Sequence, residues 1–317
     1  MVTPAAPSVR SAGTTRVRRD LCPAVSRPWP ATDGLLVRLR LVGGLLPARA
    51  LGSLSEAADR FGDGAVYLTG RANLQVRGLP AGREGGLAPA ADRALRATGL
   101  VPHPAHELAR NVLVSPLSGL VGGRADLRPV AAALDAAIVA DHALAALPGR
   151  FLHVLDDGRG DVLPRGGDLS LVALDDVRCQ VRAGSTWGPV VPLDRAAEVL
   201  VALARAFLES RGDGPTAPWH VDELPGGGAA LVTPSAPDPR AEVASPPLPF
   251  GLVRARGTGA AVVDHVEAPD GLLDAAAVGG LVSRGDVLVV TPWRGVLAPP
   301  GPPGPARPAA RSTEEDR

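Results

Sequence analysis

The sequence predicts an α+β protein in which two small β-α-β-β units flank a larger α/β unit. Three observations predict this. The order strand, helix, glycine stop, strand occurs near residues 35–77 and again near residues 250–291. Both copies end with a Thr at a strand end and an Arg two or three residues later, in Thr69-Gly70-Arg71 and Thr291-Pro292-Trp293-Arg294. Between the copies, residues 105–230 alternate long apolar helical patterns with short strand patterns.

In chain order, residues 1–20 are rich in Ser, Thr, Pro and Arg and predict a disordered lead. The first small unit spans residues 21–85. Val37-Arg38-Leu39-Arg40-Leu41 alternates apolar and basic residues, a period-2 strand with both arginines on one face. Leu51, Leu54, Ala57 and Ala58 recur at helical spacing, so Pro47–Phe61 reads as a helix with its Pro in the first turn. Gly62-Asp63-Gly64 closes it, and Ala65–Thr69 and Asn73–Arg77 read as strands.

The large unit spans residues 105–230. Leu127–Leu147 reads as one long helix or two abutting ones, and Arg150–Leu155 as a strand. Asp156–Asp161 reads as a polar turn from which Val162 onward returns as a hairpin. Leu169–Leu174 and Val177–Val181 read as strands, and Ala196–Glu209 as an amphipathic helix. Residues 231–247 predict a linker, with six prolines between Pro234 and Pro249. The second small unit spans residues 248–297. Phe250–Ala255 and Val287–Thr291 read as strands, and Leu272, Leu273, Ala276, Ala277 and Leu281 as one helix. Residues 298–317 predict a disordered Pro-rich tail.

Composition narrows the chemistry. The 33 basic residues balance 33 acidic ones, which argues against a general nucleic-acid binder. Every basic residue is Arg, so Schiff-base and P-loop lysine chemistry are excluded. Two cysteines, Cys22 and Cys179, are too few for a four-thiolate zinc or iron–sulfur site. No run of ~18 apolar residues predicts a membrane span, and the cytoplasm is the expected location.

The standard acid–base and metal templates are missing. His103-x-x-His106 is flanked by Pro102 and Pro104, which favour a loop over a ligand-bearing helix. No metal site is expected. What remains is arginine at strand ends and turns: Arg38, Arg71, Arg110 with Asn111 beside it, Arg150 and Arg294. A guanidinium is a fixed cation whose planar fork matches a carboxylate with two hydrogen bonds. Several converging forks suit a polycarboxylate ligand. The competing reading is that a lysine-free chain places Arg everywhere, plain surface included.

Five segments then carry a resemblance. They are GLLVRLRLVGG (34–44), LTGRANLQVRG (68–78), RNVLVSPLSG (110–119), LPGRFLHVLDDGRGD (147–161) and TPWRG (291–295). In this order they resemble the nitrite/sulfite reductase superfamily, and R-A-N-L-Q-x-R-G with Cys22-Pro23 and T-P-W-R resembles its cobalamin-pathway branch, the precorrin-3B synthases. The resemblance implies two ferredoxin-like half units paired into one pseudo-symmetric domain, beside a larger α/β domain. It implies a polycarboxylate tetrapyrrole as partner, gripped at Arg38, Arg71, Arg110 and Arg150; Asn111 and Arg294 stand beside them as candidates from their positions in the sequence. For the synthase branch it implies hydroxylation of, and lactone formation on, precorrin-3A. The family uses a 4Fe-4S cluster and, in the reductases, sirohaem. Two departures stand out. Leu152 occupies a position that is basic in the reductases, which weighs against sulfite chemistry. The cluster-binding cysteine pairs are not found in this chain, so the resemblance leaves three readings: a shortened synthase completed by a separate polypeptide carrying the cluster unit, a non-catalytic tetrapyrrole-binding protein, or a truncated nitrite/sulfite reductase homologue without a redox centre.

Overall fold

The computed structural model describes residues 20–301 except 84, 215 and 256. The expected lead and tail therefore lie outside the described residues, apart from Asp20 at one end and residues 298–301 at the other. The first small unit contains β1 (Trp29–Ala31), β2 (Gly34–Leu39), β3 (Leu45–Pro47), α1 (Ala48–Phe61), β4 (Val66–Leu68) and β5 (Leu74–Leu79), followed by α2 (Pro89–Ala97). The central unit contains β6 (Val112–Val114), α3 (Arg128–Ala140), β7 (His153–Asp156), β8 (Leu169–Ala173), β9 (Arg178–Ala183), β10 (Thr186–Pro192) and α4 (Ala196–Arg211). The second small unit contains β11 (Gly251–Arg254), β12 (Ala261–Glu267), β13 (Leu272–Leu273), α5 (Ala275–Val282), β14 (Val287–Val290) and β15 (Gly295–Ala298).

The two small units form one pseudo-symmetric domain by exchanging strands. One sheet runs β1-β2-β5-β4-β13 and its counterpart runs β11-β12-β15-β14-β3. Each sheet is thus completed by the short strand that precedes the other unit's helix. Leu46 of β3 sits opposite Leu288 of β14, and Leu273 of β13 opposite Val66 of β4. α1 packs on α5. Leu51, Leu54, Val278 and Leu281 join Leu46, Leu273 and Leu288 in one buried core. Neither unit has enough apolar surface to close a core alone, so sharing one is the stable solution. Gly44 permits the exchange: its φ is +71°, and a Cβ there would overlap the carbonyl oxygen of Val290.

The repeated strand-end signature is a repeated turn. The Asn73 amide donates to Thr69 Oγ1 at 3.1 Å, and the Gly295 amide donates to Thr291 Oγ1 at 3.2 Å. The residue before each, Ala72 and Arg294, has positive φ. Structurally, Arg71 therefore matches Trp293, and Arg294 matches Ala72.

The central sheet runs β10-β9-β8-β7-β6. β6, β7 and β8 are parallel, while β8, β9 and β10 are antiparallel. The parallel strands are buried on both faces, as their continuous apolar sequence requires. Leu113 and Val154 face the core of the small units, while Val112, Val114 and Leu155 face α3 and α4. This two-sided burial locks the central unit to the paired small units.

Local expectations are corrected at residues 156–168, 272–273 and 231–247, and at 127–147 the second of the two expected forms is found. Residues 156–168 form a crossover loop between parallel strands, not a hairpin. The Asp156 carboxylate accepts the amides of Gly158, Gly160, Val162 and Leu163, which folds the chain away from the sheet instead of back along it. Leu272 and Leu273 form β13, and the helix begins only after Asp274, whose side chain accepts the Ala277 amide as N-cap. The helical pattern over 127–147 divides into α3 and a 3-10 turn at His142–Ala146, with Asp141 accepting the Ala143 amide between them. The Pro-rich segment 231–247 is anchored rather than free. Gln180 bonds Ala236 O and Asp238 N, and Ala241 is buried.

Candidate anion-binding cleft

Two adjoining cavities lie where the first small unit meets the central unit. The larger, about 590 Å3, is lined by Trp29, Leu36, Arg38, Gln75, Arg71, Arg150 and Trp219, with Leu21, Cys22 and Pro23. The smaller, about 370 Å3, is lined by Arg38, Thr69, Gly70, Arg71 and Arg165. Arg38 and Arg71 border both. Together the volumes fall within the ~300–1,000 Å3 usual for ligand sites.

The alternation in β2 explains the first wall. Leu35, Val37 and Leu39 are buried in the core, so Leu36 and Arg38 face the cleft. Arg40 lies beyond the strand end and plays another part. Its forks donate to Pro23 O and Gly149 O, tying residues 20–27 and the Pro148-Gly149 loop to the small unit. A Cβ at Gly149 would approach Cys22 Cβ at 2.7 Å and Arg40 Nη2 at 3.1 Å, so only glycine fits beneath this tie.

Buried amides set the other walls. Asn73 Oδ1 accepts the Leu41 amide at 2.9 Å, and Asn73 Nδ2 donates to Asn111 Oδ1 at 3.1 Å. Asn111 Nδ2 donates to Phe151 O at 3.1 Å. Both side chains are almost fully buried. This chain of bonds joins the strand of Arg38, the turn of Arg71 and the loop of Arg150.

The electrostatics are one-sided. Arg38 makes no hydrogen bond or ion pair among the described residues, and its Nε is buried without a partner. Burial lowers the pKa of Arg38, and it lowers that of Arg71 despite the opposing pull of Asp168. Burial brings Arg40 down to about 10, which still leaves it charged at neutral pH. Each guanidinium is thus held partly desolvated beside like charges, an arrangement that an anionic ligand relieves.

Of the six expected ligand residues, Arg38, Arg71 and Arg150 converge on the cleft. The other three lie elsewhere. Arg110 turns to α3, where Nε and Nη2 donate to the two carboxylate oxygens of Asp135 at 2.6 and 2.8 Å. Asn111 is a buried connector. Arg294 sits in the second unit's turn, and its Nη1 points to Asp270 O at 3.4 Å. The sequence reading missed Trp29, Trp219 and Arg165. The Arg165 guanidinium lies 5.9 Å from the ring centroid of Trp293, the residue at the turn position equivalent to Arg71.

His106, expected in a loop, is buried with Nε2 at 3.0 Å from Asp141 O, a structural role. An acidic group, Asp156, Asp157 and Asp161, is internally satisfied: Asp156 by backbone amides, Asp157 by Arg159 and Asp161 by Ser115. Cluster chemistry does not fit the two thiols. Cys179 lies in the central core with its pKa pushed up to about 12 by burial. Cys22 lines the cleft, and burial with Asp20 nearby raises it too. Neither offers a ready thiolate.

No helix among the described residues is long and apolar enough to cross a membrane. Residues 30–88 match the nitrite/sulfite reductase ferredoxin-like half domain. A precorrin-3B synthase from Sinorhizobium sp is 36% identical over 160 residues, which take in 50% of this chain and 33% of the synthase. The structure of Mycobacterium tuberculosis NirA protein aligns with a TM-score of 0.59 at 18% identity, covering 83% of this chain and 53% of that one. The chain thus spans about half of that structure, and its match spans a third of the curated relative. It carries a nitrite/sulfite reductase ferredoxin-like half domain at residues 30–88, within a fold shared with that structure.

Proposed function

We propose that this chain binds a polycarboxylate tetrapyrrole of the corrin pathway, in the manner of a precorrin-3B synthase. One observation carries the reading: Arg38, Arg71 and Arg150 line one cleft, and no carboxylate among the described residues is hydrogen-bonded to any of them. Elsewhere several arginines pair with acids, as at Arg110–Asp135 and Arg159–Asp157, while others bond backbone carbonyls, as Arg40 and Arg124 do. What supports an anionic ligand is that three cations share one concavity without a bonded carboxylate among the described residues. The reaction implied by the family resemblance is hydroxylation of, and lactone formation on, precorrin-3A. The two buried thiols favour a second reading, a tetrapyrrole-binding protein that does no redox chemistry by itself.

Titration with uroporphyrin I, an octacarboxylate, at increasing NaCl tests the binding reading. Binding that weakens steeply with salt and drops at least tenfold in Arg38→Ala supports it. Salt-independent binding, or equal binding by Arg38→Ala, defeats it. Incubation with precorrin-3A, oxygen and a reductant separates the two forms: turnover supports the enzyme, binding without turnover the carrier.

A further inference from the structure

We infer that Trp219 is a stacking wall of the cleft and selects a ligand with a flat π face as well as carboxylates. The inference rests on the polycarboxylate tetrapyrrole reading above and adds what that reading leaves open, the residue that meets the face of the ring.

Two indoles, Trp29 from β1 and Trp219 from the loop after α4, line the same cavity as the three arginines. A compact inorganic anion needs only the forks. Indoles add broad apolar faces that stack on planar π systems and give nothing comparable to a small hydrated ion. The chain has four tryptophans. Two line the larger cavity, and a third, Trp293, lies under the Arg165 that borders the smaller one.

Trp219 is also fixed relative to the cations. The Arg150 guanidinium carbon lies 5.3 Å from its ring centroid. The Trp219 amide donates to Glu223 Oε2 at 2.8 Å. The Val221 amide donates to Asp168 Oδ1 at 2.9 Å, while Asp168 Oδ2 accepts the Leu152 amide at 2.9 Å. Asp168 is almost wholly buried. A single carboxylate therefore clamps the turn carrying Trp219 to the segment carrying Arg150. Arg–aromatic contacts also occur at Arg60/Phe61 and Arg182/Trp187, but those residues line neither cavity. The distinguishing features of Trp219 are its place in the cleft and its clamped loop. Arginine forks meet carboxylates edge-on, and an indole meets a ring face-on. A planar ring with carboxylates around its rim satisfies both at once.

The test uses the full chain and three probes: uroporphyrin I, benzenehexacarboxylate and all-cis cyclohexanehexacarboxylate. The two hexacarboxylates match in number of carboxylates and differ in the π face. Wild type is expected to prefer the aromatic one at least tenfold. Trp219→Leu should lose that preference while still binding the aliphatic probe, and Trp219→Phe should keep most of it. Benzenehexacarboxylate should quench indole emission in wild type and quench it less in Trp219→Phe, a readout that stands if the Leu variant does not fold. Equal affinity of wild type for the two hexacarboxylates, or equal quenching in wild type and Trp219→Phe, overturns the stacking wall and leaves the anion cleft standing. Failure of all three probes to bind wild type overturns both.

Discussion

Arg71 donates through Nη1 to the backbone carbonyl of Arg150 at 2.9 Å. One cation of the cleft thus holds in place the loop that presents another. The two arginines come from different units, and the bond spans the junction between them. The cleft is for this reason a property of the assembled molecule and not of either unit.

Arg38 and Arg110 should respond to substitution in opposite ways. Arg38→Ala should weaken uroporphyrin binding at least tenfold and leave stability unchanged or slightly raised, because it removes a buried unpartnered Nε. Arg110→Ala should leave Asp135 without its fork and cost about 1–3 kcal/mol of stability, with little effect on binding by the folded fraction. Urea unfolding and ligand titration on both variants measure the contrast. A binding loss confined to Arg110→Ala would reverse the assignment.

Asn111→Ala should be costly for a small change. It leaves Asn73 Nδ2 and the Phe151 carbonyl unpaired in a buried site, a loss of about 2–4 kcal/mol for the two groups. Asn111→Asp keeps the acceptor for Asn73 but turns a donor into a charge facing a carbonyl, and should cost at least as much. Chemical denaturation decides it; a loss below ~1 kcal/mol for both variants would show the network to be dispensable.

His153 should set part of the acid sensitivity of the fold. It is fully buried, neither ring nitrogen has a well-formed hydrogen bond among the described residues, and burial, against a smaller opposing pull from the Asn111 backbone, lowers its pKa to about 4. The unfolded ring protonates near its ordinary 6.5, so between pH 6.5 and 4 the unfolded state binds more protons. Stability contributed by this group is present above pH 6.5 and is lost as pH falls toward 4, on the order of 3 kcal/mol in all. His153→Leu should match or exceed wild type at pH 8 and lose less stability on acidification. An identical pH profile in the variant would contradict this.

Asp161 should act in the opposite sense. Burial, against the help of the Ser115 hydroxyl, raises its carboxyl to about 7 from an ordinary 3.8. Between those values the folded state binds more protons, so its contribution to stability falls as pH rises from 4 to 7. Asp161→Asn keeps an acceptor for Ser115 and removes the titration. The variant should be about 2–4 kcal/mol more stable than wild type at pH 8 and nearly equal at pH 4. Thermal unfolding across that range measures the crossover.

Much of this architecture is legible in the residues. The alternation through Arg38 and the Thr69 and Thr291 turns located the two small units, and the family resemblance implied their pairing. What was hidden is long-range. Leu272 and Leu273 carry a helical spacing with Ala276, and only their pairing with β4 makes them extended. Arg110 was indistinguishable from Arg150 in the sequence, because Asp135 reaches it from a helix twenty-five positions later. Trp219 lies in a segment with no periodicity, and its role depends on Asp168, a partner no local pattern announces.

The exchanged strands bear on how a ribosome delivers this protein. β4 emerges early, but the strand that covers its edge, β13, is more than two hundred residues further along the nascent chain. β3 likewise emerges long before β14, the strand it joins. Until then the first sheet has a bare edge, and the apolar side of α1 lacks its partner helix, a state prone to sticking to neighbours. The central unit can collapse in the interval on its own core of Phe151, Phe207, Leu134 and Leu171. The late-arriving second unit then works as a clasp: its arrival covers the free edge of β4, takes β3 into its own sheet and brings α1 its partner helix.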